Sequence, residues 1–158
     1  MLVNQDVAAR FLAAYKELMQ ALNQGVEPEN MEQYAKLREM IYFYRNNHPQ
    51  VYEDALIPEW LNTIKNAVFG EFIYLKKYQK GYVLQEMTTG TFYQVKGLTT
   101  NLEDSLPEFM IVKTALLPFE GEWLCDGLLI HKTELSKEDA RAARDAYAEA
   151  KKQKQVIA

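Results

Sequence analysis

The chain reads as an α+β protein. A helical N-terminal half, about residues 1–66, is expected to pack against a small five-stranded antiparallel barrel or curved sheet, about 67–132. A C-terminal helix, within 133–158, would cover one side, and the three parts are expected to form one compact unit. Three observations predict this. Apolar residues recur at helical spacing through the first half. From Ala67 the composition turns to aromatic and branched residues in short runs punctuated by glycine. A final amphipathic stretch follows a Ser-x-x-Asp capping pattern at Ser136–Asp139.

Val7, Phe11, Tyr15, Leu18 and Leu22 recur at steps of three and four, which sets them on one helical face. Asn4 or Asp6 can cap the start, and Gly25 falls where the helix should end. Pro28 suits the first position of a second helix. Met31, Tyr34, Leu37 or Arg38, Ile41 and Tyr44 carry that helix to Asn46–Pro49, since a residue before proline avoids the α region. A short connection makes the two helices a hairpin. Val51 to Ile64, interrupted by Pro58, reads as a kinked third helix.

Strands follow at Phe69–Leu75, Tyr82–Met87 and Phe92–Lys96, with turns at Lys80-Gly81 and Thr88-Thr89-Gly90. Thr99 or Thr100 caps a helical turn closed by Pro107. Phe109–Leu117 and Glu122–Ile130 are the fourth and fifth strands, joined by a turn over Pro118–Gly121. Short hairpin links force an antiparallel meander, and a meander this short hides its edges by curling. Ala143, Tyr147 and Ala150 form the narrow apolar face of the last helix. Lys151, Lys152 and Lys154 stand at its C-terminal end, where cations suit the helix dipole.

Four stretches carry a resemblance: Leu75–Tyr78 (LKKY), Phe92–Pro107 (FYQVKGLTTNLEDSLP), Thr114–Leu129 (TALLPFEGEWLCDGLL) and Asp145–Ala158 (DAYAEAKKQKQVIA). Together they resemble an uncharacterised group of bacterial proteins with a Leu-Leu-Pro-Phe-x-Gly…Asp-Gly-Leu hairpin and a Tyr-x-x-Ala-Lys helix. The likeness covers about half the chain, from roughly Phe72 onward. It implies a shared fold and carries no activity. This chain departs from the pattern at Glu120 and Glu122, where basic residues would be expected.

Composition excludes several function classes. The 158 residues carry a net charge of −4, which supplies no bulk attraction to nucleic acid or an anionic membrane. The single cysteine, Cys125, permits neither an intrachain disulfide nor a cysteine-based zinc site, which fits a cytoplasmic setting. No apolar run approaches the roughly 18 residues of a membrane span. The start MLVNQDVAARFLAAYKELMQ lacks the basic-then-apolar pattern of a signal peptide. Phosphate-binding glycine motifs and the Gly-x-Ser-x-Gly elbow are missing, so no cofactor and no catalytic residue is assigned.

Two stretches remain as candidate sites. Asp126 is a carboxylate in an apolar strand, costly to bury unless bonded. It is either a ligand-gripping or catalytic group, with Glu120 and Glu122 nearby, or the fixing residue of a bulge at Gly127; the bulge accounts for both residues together. Lys76, Lys77, Lys80 and Tyr82 could contact phosphates and stack on bases. Those lysines also suit an edge hairpin that discourages aggregation. His48 and His131 belong to no ligand or catalytic pattern, and no metal site is assigned. Ten tyrosines, many on the first-half helices, lean toward protein contact. The sequence therefore points to a non-enzymatic protein-interaction module of a bacterial cytosol, with a protein partner or a homo-oligomer. Single-stranded nucleic-acid binding through Lys76–Tyr82 is the alternative, and a carboxylate enzyme around Asp126 the third reading. Nucleic acid is not the expected partner, and neither is a membrane.

Overall fold

The structure, a computed structural model, describes residues Met1–Ala158. Its contacts divide the chain into two compact units: Asn4–Ala67, and Met1–Val3 with Val68–Ala158. The architecture is α+β, with five α-helices and a curled antiparallel sheet.

The first unit is helical. α1 (Gln5–Leu22) is capped by Asn4, whose side chain accepts from the Asp6 N–H. It buries Ala8, Phe11, Tyr15, Leu18 and Met19, close to the face that the spacing predicts. α2 (Met31–Tyr44) starts three residues later than Pro28 suggests. Asn30 is its cap, accepting from the Gln33 N–H at 2.9 Å, and this local bond outcompetes the proline signal. The expected kinked third helix is two helices, α3 (Pro49–Ala55) and α4 (Pro58–Lys65), each with proline in its first turn. Aromatic packing unites the unit. The Phe11 ring lies 4.6 Å from Tyr15 and 5.6 Å from Trp60. Tyr15 and Tyr42 share a hydroxyl bond of 2.6 Å, and the Tyr52 hydroxyl donates to the Ile41 carbonyl. Burial pushes the Tyr52 phenol up to about 12.

The second unit holds β1 (Val68–Tyr78), β2 (Gly81–Glu86), β3 (Phe92–Val95), β4 (Met110–Phe119), β5 (Glu122–Cys125), β6 (Ile130–Glu134) and α5 (Lys137–Lys152). The strand order is β3-β2-β1-β4-β5, with β6 also on β4, and every ladder is antiparallel. The two ends of this order meet. Lys96 N–H donates to the Trp123 carbonyl and Cys125 N–H to the Lys96 carbonyl, so the sheet curls into a half-barrel. One face encloses Phe72, Tyr74, Tyr82, Leu84, Val112 and Leu116. The other face takes α5, with Leu75, Val83 and Phe92 against Ala143 and Tyr147.

Two details depart from the expected meander. Pro118 and Phe119 lie inside β4, and the turn shrinks to Glu120-Gly121. Pro118 is tolerated because Phe119↔Glu122 closes the hairpin, which makes Pro118↔Trp123 a non-hydrogen-bonded pair, and β1 reaches only to Leu116 on the other side. The expected fifth strand is two strands, β5 and β6, which pair with successive parts of β4 across a break at Asp126–Leu129. The helical turn after β3 is a 3₁₀ segment, Leu102–Asp104, with Asn101 rather than a threonine at its N-cap position.

Candidate functional site

The structure disperses the lysine hairpin. β1 carries a bulge between Tyr74 and Lys76, which leaves Lys77 opposite Tyr82 and Lys76 opposite Val83. Lys76 and Lys77 therefore belong to different faces of the sheet. Lys77 pairs with Glu103 at 3.2 Å. Tyr82 is completely buried, and its hydroxyl donates to the same carboxylate at 2.8 Å, so its ring is not presented to a ligand. Desolvation and this bond push the Tyr82 phenol up to about 12. The Tyr82 hydrogen bond, then Lys77, hold the Glu103 carboxyl below its ordinary value. Lys76 stands over the Tyr78 ring at 5.1 Å.

Asp126 is buried and bonds within its own sheet. Oδ1 accepts from the Leu128 N–H at 3.0 Å and from Thr114 Oγ1 at 3.1 Å, while the Asp126 N–H donates to the Ala115 carbonyl. Gly127 follows at φ 84°, a backbone conformation that favours glycine. The carboxylate thus organises the break between β5 and β6. Glu122 pairs with Lys96 at 2.5 Å, and Glu120 is exposed at the turn. His48 and His131 are exposed. No group of three or more His, Cys, Asp or Glu residues is placed to hold a metal ion, and no helix is long and apolar enough to cross a membrane.

Lys80 goes elsewhere. It sits in the two-residue turn Gln79-Lys80 between β1 and β2, beside a cleft of about 560 Å³. Gly81 keeps that turn tight against β3, since a Cβ there would stand 2.9 Å from the Val95 carbonyl oxygen. The opposite wall is the end of α5. Ser136 caps the helix by accepting from the Asp139 N–H, and Tyr147 docks it on the sheet, 4.8 Å from Tyr78 and 5.4 Å from Phe92 between ring centroids. Lys151 lies one turn beyond Tyr147 on the same side. Lys154 follows the helix at φ 57°. Its N–H donates to the Lys151 carbonyl and the Gln155 N–H to the Ala150 carbonyl, the bond pair of a Schellman ending. The chain then runs beside β3, where Ile157 N–H donates to the Phe92 carbonyl and Gln94 N–H to the Ile157 carbonyl.

Lys80, Lys151 and Lys154 therefore line one cleft, with the amides of Gln79 and Gln94 and the rings of Tyr78 and Tyr147. No carboxylate lines it, and none of the three lysines forms an ion pair. Burial pushes both phenols up, so they stay protonated at neutral pH. The cleft is rich in donors and positive in a chain of net charge −4. Lys154 also occupies the left-handed position usually given to glycine, at a cost of roughly 1 kcal/mol. Lys80 is visible as a candidate in the sequence. Lys151 and Lys154 read there as ordinary complements of the helix dipole, and their join to Lys80 depends on where α5 docks.

The helical unit has a different surface. Phe43 on α2 is 70% exposed and packs edge-on against Tyr44, with ring centroids 4.8 Å apart. Tyr44 in turn lies 5.3 Å from the His48 ring. Met40, one turn earlier, opens into a groove of about 660 Å³ where Leu22, Val26 and Leu37 join it. Comparison of the chain with family models, curated proteins and solved structures found no match.

Proposed function

We propose that the chain is a non-enzymatic protein-interaction module of the cytoplasm, and that its contact surface is the outer side of α2. The observation that carries this reading is the exposed Phe43, continued by Tyr44 and by Met40 into the groove beside α1. Aromatic residues and methionine are enriched where proteins meet, and burying a phenylalanine is worth roughly 1.5–3 kcal/mol. Val26, 59% exposed, extends the apolar row. The groove is bordered by Glu27, Glu29 and Lys36, charges of both signs on one surface. A surface with both signs of charge is complementary to itself under two-fold symmetry, where Lys36 of each copy could meet the glutamates of the other, and this favours a second copy of this chain as the occupant. The buried thiol of Cys125 is consistent with a cytoplasmic setting.

Light scattering across the micromolar to low-millimolar range tests the reading. The expected result is a concentration-dependent dimer that Phe43→Ser abolishes, with stability changed by no more than about 0.5 kcal/mol, as for exposed substitutions generally. A strict monomer at the highest concentration overturns it, as does a dimer indifferent to Phe43.

A further inference from the structure

We propose that the cleft between the β1–β2 turn and the end of α5 binds a phosphorylated small molecule of about nucleotide size, with Lys80, Lys151 and Lys154 gripping its phosphate. The three lysines come from two sequence regions about seventy residues apart and line one cleft that no carboxylate lines. A doubly charged phosphate suits three cations and neighbouring amide donors, because charge-assisted hydrogen bonds to phosphate are the strong ones. The volume of about 560 Å³ exceeds what an inorganic ion needs and falls among small-molecule sites, which span roughly 300–1,000 Å³.

The helix dipole offers a competing account of these lysines, and it is incomplete. It explains Lys151 and Lys152, in the last turn of α5. It does not explain Lys80, which belongs to a strand turn. Nor does it explain why the left-handed residue of the Schellman ending is a lysine, when glycine would relieve the strain there. A local preference set aside at a residue that lines a cleft is the pattern of a functional position. A polymer is the poorer occupant. A second cavity along α5 is lined by Glu149 and by no cation, so the lysines of the cleft do not continue in that direction.

Calorimetric titration of the full chain with adenosine 5′-monophosphate, ribose 5-phosphate and adenosine tests the proposal. A twelve-residue oligothymidylate and a Lys16→Ala variant, altered on α1 of the helical unit and absent from the cleft lining, serve as comparisons. The phosphorylated probes are expected to bind saturably, with adenosine at least about tenfold weaker, the loss expected when a charge-assisted contact goes. Lys80→Ala and Lys154→Gly should each weaken the phosphorylated probes by a similar factor, and Lys16→Ala should leave them unchanged. Lys154→Gly is the decisive variant, because glycine fits the backbone there and the melting temperature should hold or rise. Absence of saturable binding up to millimolar probe overturns the proposal. So does binding that ignores Lys154→Gly, that falls equally with Lys16→Ala, or that is tightest for the oligonucleotide. The dimerisation measured through Phe43 is unaffected by any of these outcomes.

Discussion

Two hairpins of the sheet unit both turn in two residues, and they treat their polar side chains in opposite ways. In the hairpin of β4 with β5, Asp126 bonds Thr114 and the Leu128 backbone, and Glu122 is tied to Lys96. In the hairpin of β1 with β2, Lys77 is tied to Glu103, while Lys80 is left to a cleft that it shares with Lys151 and Lys154. The first hairpin has the more conspicuous motif, yet its polar atoms hold its own backbone. The difference teaches that a polar group marks a ligand site when the fold has left it unengaged, however plain the surrounding sequence looks.

The comparison breaks first at Asp126. Asp126→Ala leaves a part-buried backbone N–H and a buried threonine hydroxyl without this acceptor, so stability should fall by about 2 kcal/mol. Asp126→Asn, which keeps one acceptor oxygen, should lose less. Urea denaturation measures both. A loss under about 0.5 kcal/mol for the alanine variant would mean the carboxylate is not holding the break between β5 and β6, and the contrast between the hairpins would fail.

A smaller effect is expected at Tyr82, the engaged end of the lysine hairpin. Removing its hydroxyl with Tyr82→Phe should cost about 1 kcal/mol near neutral pH. The loss should shrink in acid. The Tyr82 hydrogen bond, then Lys77, depress the folded-state Glu103 carboxyl. Its stabilisation is therefore present above the unfolded carboxylate value and is lost as pH falls through the depressed one. Urea midpoints taken from neutral pH down through the carboxylate range should fall less steeply for Tyr82→Phe than for the wild type. Equal slopes would uncouple Glu103 from Tyr82. Because Glu103 is partly exposed, added salt should flatten the wild-type slope too.

Local chemistry makes the α+β class and most elements readable in the sequence. Phe11, Tyr15 and Leu18 keep a helical period, and the Ser136 cap behaves as its pattern promises. What escaped depends on partners distant in sequence. Asp126-Gly127 marks a bulge locally, but nothing local shows that it divides the run from Glu122 to Ile130 into two strands pairing with successive parts of β4. Pro28 lost to an asparagine two residues later, since a side-chain bond to a backbone N–H outweighs a preset φ angle. In the cleft, Lys80 was readable as an exposed cation. Its companions were hidden because the narrow apolar face of α5 tells that the helix docks and does not tell where. Tyr82 was misleading for the same reason: alternation alone does not reveal the bulge at Leu75 that sets which side of the sheet each neighbour faces.

The smallest effect separates strain that serves nothing visible from strain that serves the cleft. Glu120 and Gly121 turn β4 into β5 with φ values of 49° and 78°, both left-handed, which is the geometry that Asn-Gly prefers. Glutamate is a poor residue for the first position, and its exposed side chain lies on the turn outside the buried core. Glu120→Asn should therefore stabilise the chain by about 0.5 kcal/mol, seen as a small rise in urea midpoint, with phosphate binding unchanged. Lys154 occupies the same backbone region at φ 57°, and relieving it with glycine should give a similar gain in stability while binding falls. If both substitutions stabilise and only the second weakens binding, the two strained residues differ in purpose. If Glu120→Asn weakens phosphate binding as much, the loss at Lys154 reflects a general change in the sheet and the cleft has no privileged claim on it.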